Sequence, residues 1–195
     1  MSKDFQFSQL GKMIILAAPS GAGKSSFVER ICEIDARLVD TVTYTTRAMR
    51  KGESEGHPYH YVSQAEFEQK ISQNFFVEWA VVHNHLYGTP YYQLEEAWKQ
   101  GKCVIMDVDV QGAQTFKKLF PQAKTLFILP PSIDELRRRI AKRDGQIPKD
   151  LEVRMKNAEL EMQQASTFDQ QVINDKFEVA FAEFKKIVDD WLKQT

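Results

Sequence analysis

The sequence predicts an α/β fold, a parallel sheet flanked by helices, with a strand-rich insertion. Three observations predict it. Apolar runs too short for helices and bounded by turn residues, Met13–Ala17, Cys103–Val108 and Thr125–Leu129, read as buried parallel strands. Stretches with helical spacing alternate with them, which asks for right-handed crossovers. The interval from about 43 to 90 departs from that rhythm, being rich in aromatic and β-branched residues.

The first strand leads into Ala18-Pro19-Ser20-Gly21-Ala22-Gly23-Lys24-Ser25-Ser26 and then into a helix to about Glu33. Strand, Gly-rich loop, Lys-Ser and helix are the parts of a phosphate-binding loop, so the sheet is of the P-loop NTPase type. Glycines let backbone N–H groups turn onto phosphate oxygens, and the helix dipole adds attraction. Lys24 is expected to reach the β- and γ-phosphates and the Ser25 hydroxyl to ligate Mg²⁺. Ala18 stands where the general pattern has glycine, which a negative φ tolerates.

Asp40–Thr45 alternates and reads as one strand. Residues 46–61 are polar, basic and Gly-containing, and read as a loop. Ser63-Gln64-Ala65-Glu66 is a capping box opening a helix through about Asn74. Phe75–Val82, with Glu78 embedded, and His85–Thr89 form a plausible hairpin. Thr89 reads as the cap and Pro90 as the first residue of a helix ending at Gly101. Further helices are expected over Ala113–Phe120, from the Ser132–Glu135 capping box to Arg143, and over Asp150–Thr167. Asp144–Lys149 is a Gly/Pro break, Gln171–Asn174 a last strand, and Phe177–Trp191 a packed terminal helix.

A chain of 195 residues forms one domain with insertions: core 11–42, 91–138 and 158–195, insertion about 43–90, helical lid about 139–157. A net charge of −1 supplies no global field toward nucleic acid polymers or membranes. No apolar run approaches a membrane span, and residues 1–9 lack a signal-peptide core. Cys32 and Cys103 form no motif and read as buried free thiols of a reducing compartment, so a cytoplasmic location is expected.

Asp107 ends an apolar strand, where a carboxylate orients Mg²⁺ or its waters, and Asp109 lies two residues on. The alternative is that both only cap a strand end. A nucleoside triphosphate and a phosphorylated acceptor together carry about six negative charges. Arginines are therefore expected, from Arg47 and Arg50 in the loop and from Arg139, Arg143 and Arg154. Glu78 either meets the paired N1–H and 2-amino donors of a guanine or points outward from the hairpin. His83-Asn84-His85 and the His57/His60 pair are too isolated to make a nuclease or metal site.

Taken together, the chain resembles the guanylate kinases, the ATP:GMP phosphotransferases, in their soluble bacterial form. APSGAGKSS is similar to the family's phosphate loop, including its alanine, and TTRAMRKGE matches T-T-R-x-x-R-x-G-E. EWA, LYGT, DVDVQGA and FILPPS follow in the family's order, so the resemblance runs from about Gly11 to Val188. It implies transfer of the γ-phosphoryl group of ATP to GMP with Mg²⁺. It implies GMP contacts from Thr43, Arg47, Arg50, Tyr59, Glu78, Tyr87, Thr89 and Asp109, with Glu78 and Thr89 reading the base. It implies ATP contacts from 18–26, with Asn174 beside the adenine, and places Ser25 and Asp107 on the metal side. Lys24, Arg47, Arg139, Arg143 and Arg154 are the implied catalytic set. Two departures stand out: Lys142-Arg143-Asp144 replaces the family's G-R-G in the lid, and Leu86 stands where tyrosine is frequent. The oligomeric state, monomer or homodimer, stays open.

Overall fold

A computed structural model describes residues 7–19, 21–50, 52–82, 84–143 and 151–194, with 143 described by its backbone alone. Ten strands fall into two five-stranded sheets. The first sheet is built from β1 (Met13–Ala17), β2 (Leu38–Asp40), β8 (Cys103–Val108), β9 (Lys124–Leu129) and β10 (Gln170–Ile173). Its order is β10-β9-β1-β8-β2 and every pairing is parallel. The parallel sheet expected from the apolar runs is present.

The sheet is buried on both faces because β1 sends alternate residues each way. Ile14 and Leu16 pack with Phe27, Ile31, Leu136, Phe184 and Val188. These come from α1 (Lys24–Ile34), α5 (Ile133–Arg143) and α7 (Phe177–Lys193). Met13, Ile15 and Ala17 pack the other way, with Leu94, Trp98, Met106 and Phe116. That layer uses α3 (Tyr91–Lys99) and α4 (Val110–Leu119). Putting β1 in the middle fixes the loop that leaves its carboxyl end. Cys103 is buried in this core and Cys32 on α1 is half-buried, both thiols free. Burial pushes each thiol up to about 12, so neither is a thiolate at neutral pH.

The second sheet contains β3 (Thr43–Thr45), β4 (Ser54–Glu55), β5 (Pro58–Tyr61), β6 (Phe76–Val82) and β7 (His85–Pro90), in the order β4-β5-β3-β7-β6. The β6–β7 hairpin is antiparallel, as expected, while β3 pairs with β5 in parallel. Gly88 lets the hairpin lie against α2 (Gln64–Ser72) and the strand beside it. A Cβ at Gly88 would come within 2.8 and 2.9 Å of the rings of Phe76 and Phe67. Among the described residues, the Ser63–Glu66 capping box is complete, with both reciprocal bonds made.

Three expectations change. The single strand over Asp40–Thr45 is two, β2 in the first sheet and β3 in the second, because the chain switches sheets at Thr41-Val42. The polar stretch 46–61 is not all loop: Pro58–Tyr61 pairs with β3, and tertiary pairing overrides its turn-like composition. Thr89 does not cap α3; Pro90 occupies that position in extended conformation without a side-chain cap, and Thr89 is buried.

The chain returns to the first sheet at Pro90-Tyr91, beside the point where it left. Gln93 ties the two crossings together: the Val42 N–H donates to its Oε1 at 2.7 Å and its Nε2 donates to the Val42 carbonyl at 3.3 Å. The remaining helix is α6 (Leu151–Met162), followed by a 3₁₀ turn at Ala165–Thr167. The Asp144–Lys149 break, the Asp144 of the lid departure, His83 and Ser20 lie outside the described residues.

Candidate active site

The phosphate loop leaves β1 at Ala18, which is buried. Gly21 and Gly23 have φ of 91° and 90°, where glycine escapes the penalty that a Cβ imposes. The Ala22 N–H donates to the Pro19 carbonyl at 3.0 Å and closes the turn. Gly23 caps α1 without a side chain, so the first N–H groups of the helix face the loop. Asn174, at the end of β10, donates from Nδ2 to the Ala22 carbonyl at 2.9 Å. This bond holds the loop from behind.

The loop's polar side chains converge on β8. Ser25 Oγ donates to Asp107 Oδ2 at 2.8 Å, and Lys24 Nζ lies 3.9 Å from the same oxygen. A serine hydroxyl and one carboxylate form a hard-oxygen pair suited to Mg²⁺, which keeps most of its waters and completes its shell with phosphate oxygens. No group of three His, Cys, Asp or Glu side chains assembles a metal cage among the described residues. His60 Nδ1 lies 2.7 Å from Glu55 Oε1.

Across from Lys24 lies the second sheet, and a cavity of about 160 Å³ opens between the two. Ala18, Lys24, Asp107 and Asp109 line one side, and Thr43, Tyr59, Glu78, Tyr87 and Thr89 the other. Nine residues singled out in the sequence therefore share one cleft. Half-buried Glu78 faces inward, not out from the hairpin. Burial, with Asp109 adding repulsion, pushes its carboxyl up to about 7. Asp109 does not continue the strand. It caps α4, taking the Gly112 N–H on Oδ1 at 2.6 Å, and still lines the cavity.

Arg47 and Arg50 lie outside this lining. Arg47 is buried, donates to Glu53 Oε1 and to the Ala48 carbonyl, each at 2.8 Å, and stacks over Tyr59 and Tyr61. Glu53 organises the group. Burial opposes its charge, but bonds from Arg47, the Arg50 N–H and the Tyr61 hydroxyl hold its carboxyl down at about 2. The Arg50 side chain is exposed. Arg139 is engaged with Glu135 Oε1 at 2.8 Å and reaches the Asp175 carbonyl at 3.4 Å. Arg154 is half-buried on α6. Neither Arg139 nor Arg154 lines the cleft, and the side chain of Arg143 lies outside the described residues.

Three acidic residues were missed. Glu53 closes the TTRAMRKGE run, and its spacing from Arg47 was the available signal. Glu161 lines the cleft on α6, seven residues and so two turns after Arg154. Burial pushes its carboxyl up to about 7, while Lys24 pulls it down and Asp109 raises it. Asp40 ends β2, where burial and the nearby Asp107 push its carboxyl well up. One strand spanning Asp40–Thr45 hid that position.

Comparison with known proteins agrees with this geometry. A family model described as guanylate kinase matches residues 10–191. The chain is 64% identical over 181 residues to a guanylate kinase of Bdellovibrio bacteriovorus, covering 93% of this chain and 98% of the relative. It is 44% identical over 178 residues to a guanylate kinase of a Polaromonas species, covering 91% and 86%. The crystal structure of guanylate kinase from Anaplasma phagocytophilum superposes with a TM-score of 0.78 at 29% identity, covering 97% of this chain and 90% of that one.

Proposed function

This chain belongs to the guanylate kinase family, and we propose how its own residues divide the work of the family's reaction. It is an enzyme that transfers the γ-phosphoryl group of ATP to GMP, giving ADP and GDP. The observation that supports the division of roles is the single cleft joining Lys24 and Asp107 to Glu78 and Thr89.

On the donor side, backbone N–H groups of the phosphate loop hold the triphosphate, with Asn174 bracing the loop. Lys24 offsets charge on the β- and γ-phosphates. Ser25 and Asp107 would hold Mg²⁺, which when bound neutralises phosphate charge and helps align the transferring group. On the acceptor side, Glu78 accepts the N1–H and 2-amino donors of guanine and Thr89 faces O6. Tyr59, Tyr87, Arg47 and Arg50 bind the GMP phosphate, with Glu53 fixing the Arg47 fork. Thr43 and Asp109 contact the nucleoside. In this reading, Arg139, Arg143 and Arg154 act on the ATP phosphates only after their segment, 139–157, folds over the loop. Closure over both nucleotides excludes water, which would otherwise divert ATP to hydrolysis. No helix among the described residues is long and apolar enough to cross a membrane, and two free, protonated thiols accord with a cytoplasmic setting.

A coupled assay with ATP and each of GMP, AMP, UMP and dTMP tests the base-reading roles. Turnover confined to GMP is expected. Comparable turnover with AMP would remove Glu78 and Thr89 from the guanine site.

A further inference from the structure

Behind the Ser25–Asp107 pair lies a second, small cavity of about 20 Å³, lined by Ser25, Glu29, Asp40, Thr41, Tyr59 and Asp107 among others. Its volume fits one water molecule, for which about 10–15 Å³ suffices. Thr41 is 7% exposed, and its Oγ1 is buried without a hydrogen-bond partner among the described residues. A buried hydroxyl left unpaired is costly, so an orphan on the wall of a water-sized cavity marks a bound oxygen. Asp40 is held in place from its own end, where the Thr41 N–H donates to its Oδ1 at 2.7 Å.

The wall combines carboxyl groups with hydroxyls. Glu29, Asp40 and Asp107 accept hydrogen bonds when ionised and cannot donate. A water there can donate to these carboxylates and pair with the Thr41 hydroxyl. A divalent cation held at Ser25 and Asp107 would take a lone pair of such a water and strengthen its donation to the carboxylates. Lys24 already lies near Asp107 and is assigned to phosphate. We propose that Asp40 and Thr41 seat a water of the Mg²⁺ hydration shell, so that they position the metal through that water without touching it. The inference rests on the assignment of Mg²⁺ to Ser25 and Asp107. The cavity opens directly behind that pair, and Mg²⁺ characteristically keeps several waters that neighbouring carboxylates orient.

The test measures affinity for β,γ-imido-ATP by equilibrium titration, in excess Mg²⁺ and in EDTA, for the full chain and the variants Asp40→Asn, Thr41→Val and Asp107→Asn. The readout is the gain in affinity that Mg²⁺ confers. Asp40→Asn is expected to cut that gain about 3- to 10-fold and Thr41→Val about 2- to 5-fold, the range of one mediated hydrogen bond. Affinity in EDTA should not fall with either Asp40→Asn or Thr41→Val, because neither adds negative charge near the triphosphate. If Asp107→Asn reduces the gain while the other two leave it intact, the cavity holds only a structural water and the proposal is overturned. If Asp107→Asn also leaves it intact, the metal assignment itself fails. Equal losses with and without Mg²⁺ would reveal a packing role and likewise overturn the proposal. Should Asp40→Asn not fold, as judged by thermal melting, Thr41→Val decides, since it keeps the shape and deletes only the hydroxyl.

Discussion

Replacing Glu78 by glutamine should move two measurements in opposite directions. Its carboxyl, ordinarily ionising at 4.5, does so here at about 7, chiefly because it is buried. At 1.36 kcal/mol per pH unit, charging it in the empty cleft costs about 3 kcal/mol. Access to the open cleft screens part of this, leaving about 2 kcal/mol. The sign follows from linkage. A carboxyl whose folded value is raised favours the fold below pH 4.5, and that contribution is lost as pH rises through about 7. At pH 8 the substitution removes a buried charge, so the empty enzyme should gain about 1–2 kcal/mol, or about 2–6 °C in Tm. GMP affinity should fall by about 1–3 kcal/mol, because glutamine offers one acceptor where guanine presents two donors. In the parent, GMP affinity should weaken as pH drops below about 7, and Glu78→Gln should flatten that limb. Glu161 titrates in the same range and cleft, so Glu161→Gln is the control and should leave the limb in place. The measurements are thermal melts and GMP titrations from pH 5.5 to about 8.5, with the second phosphate pKa near 6 accounted for. An unchanged GMP affinity together with an unchanged Tm at pH 8 would refute both the base contact and the burial cost.

Lys24→Ala should keep its melting temperature within about 1 °C, since the ion pair with Asp107 spans 3.9 Å at a part-exposed site, while kcat falls at least about 100-fold. Arg47→Ala should destabilise by about 2–4 kcal/mol in denaturant titrations, because Glu53 would keep its charge without its partner, and a double-mutant cycle with Glu53→Gln should recover part of that loss. Asn174→Ala should raise the KM for ATP and spare the KM for GMP, as it releases the Ala22 carbonyl at the back of the phosphate loop. Gly88→Ala should cost about 1–3 kcal/mol of stability, from rings lying 2.8–2.9 Å from the new methyl group.

The parallel sheet was legible because period, length and punctuation agreed at Met13–Ala17 and Cys103–Val108. The phosphate loop was legible because its residues are contiguous. The second sheet was harder to read. Pro58–Tyr61 becomes a strand only by pairing with β3, and nothing within four residues reveals a partner sixteen positions away. Asp40–Thr45 carries an unbroken alternation although the chain leaves one sheet and joins another within it. Nine cleft-lining residues could be named in advance, largely through resemblance to a family. Glu161 and Asp40 could not, because a carboxylate's importance here comes from what the fold packs beside it. Glu53 lay inside a recognised motif and was still passed over, since its work is to hold Arg47 and not to face the cleft.

The two backbone crossings at Thr41-Val42 and Pro90-Tyr91, clasped by Gln93, bear on how the halves of the site can meet. A body attached at two neighbouring points retains one easy motion, turning about the line through both. Sliding or skewing would pull the Gln93 amide from Val42. Any swing of the second sheet would therefore carry Glu78 and Thr89 on an arc about that line, relative to Lys24. Alignment of acceptor with donor becomes a matter of a single angle, and Gln93, far from either phosphate, is the residue that keeps it single.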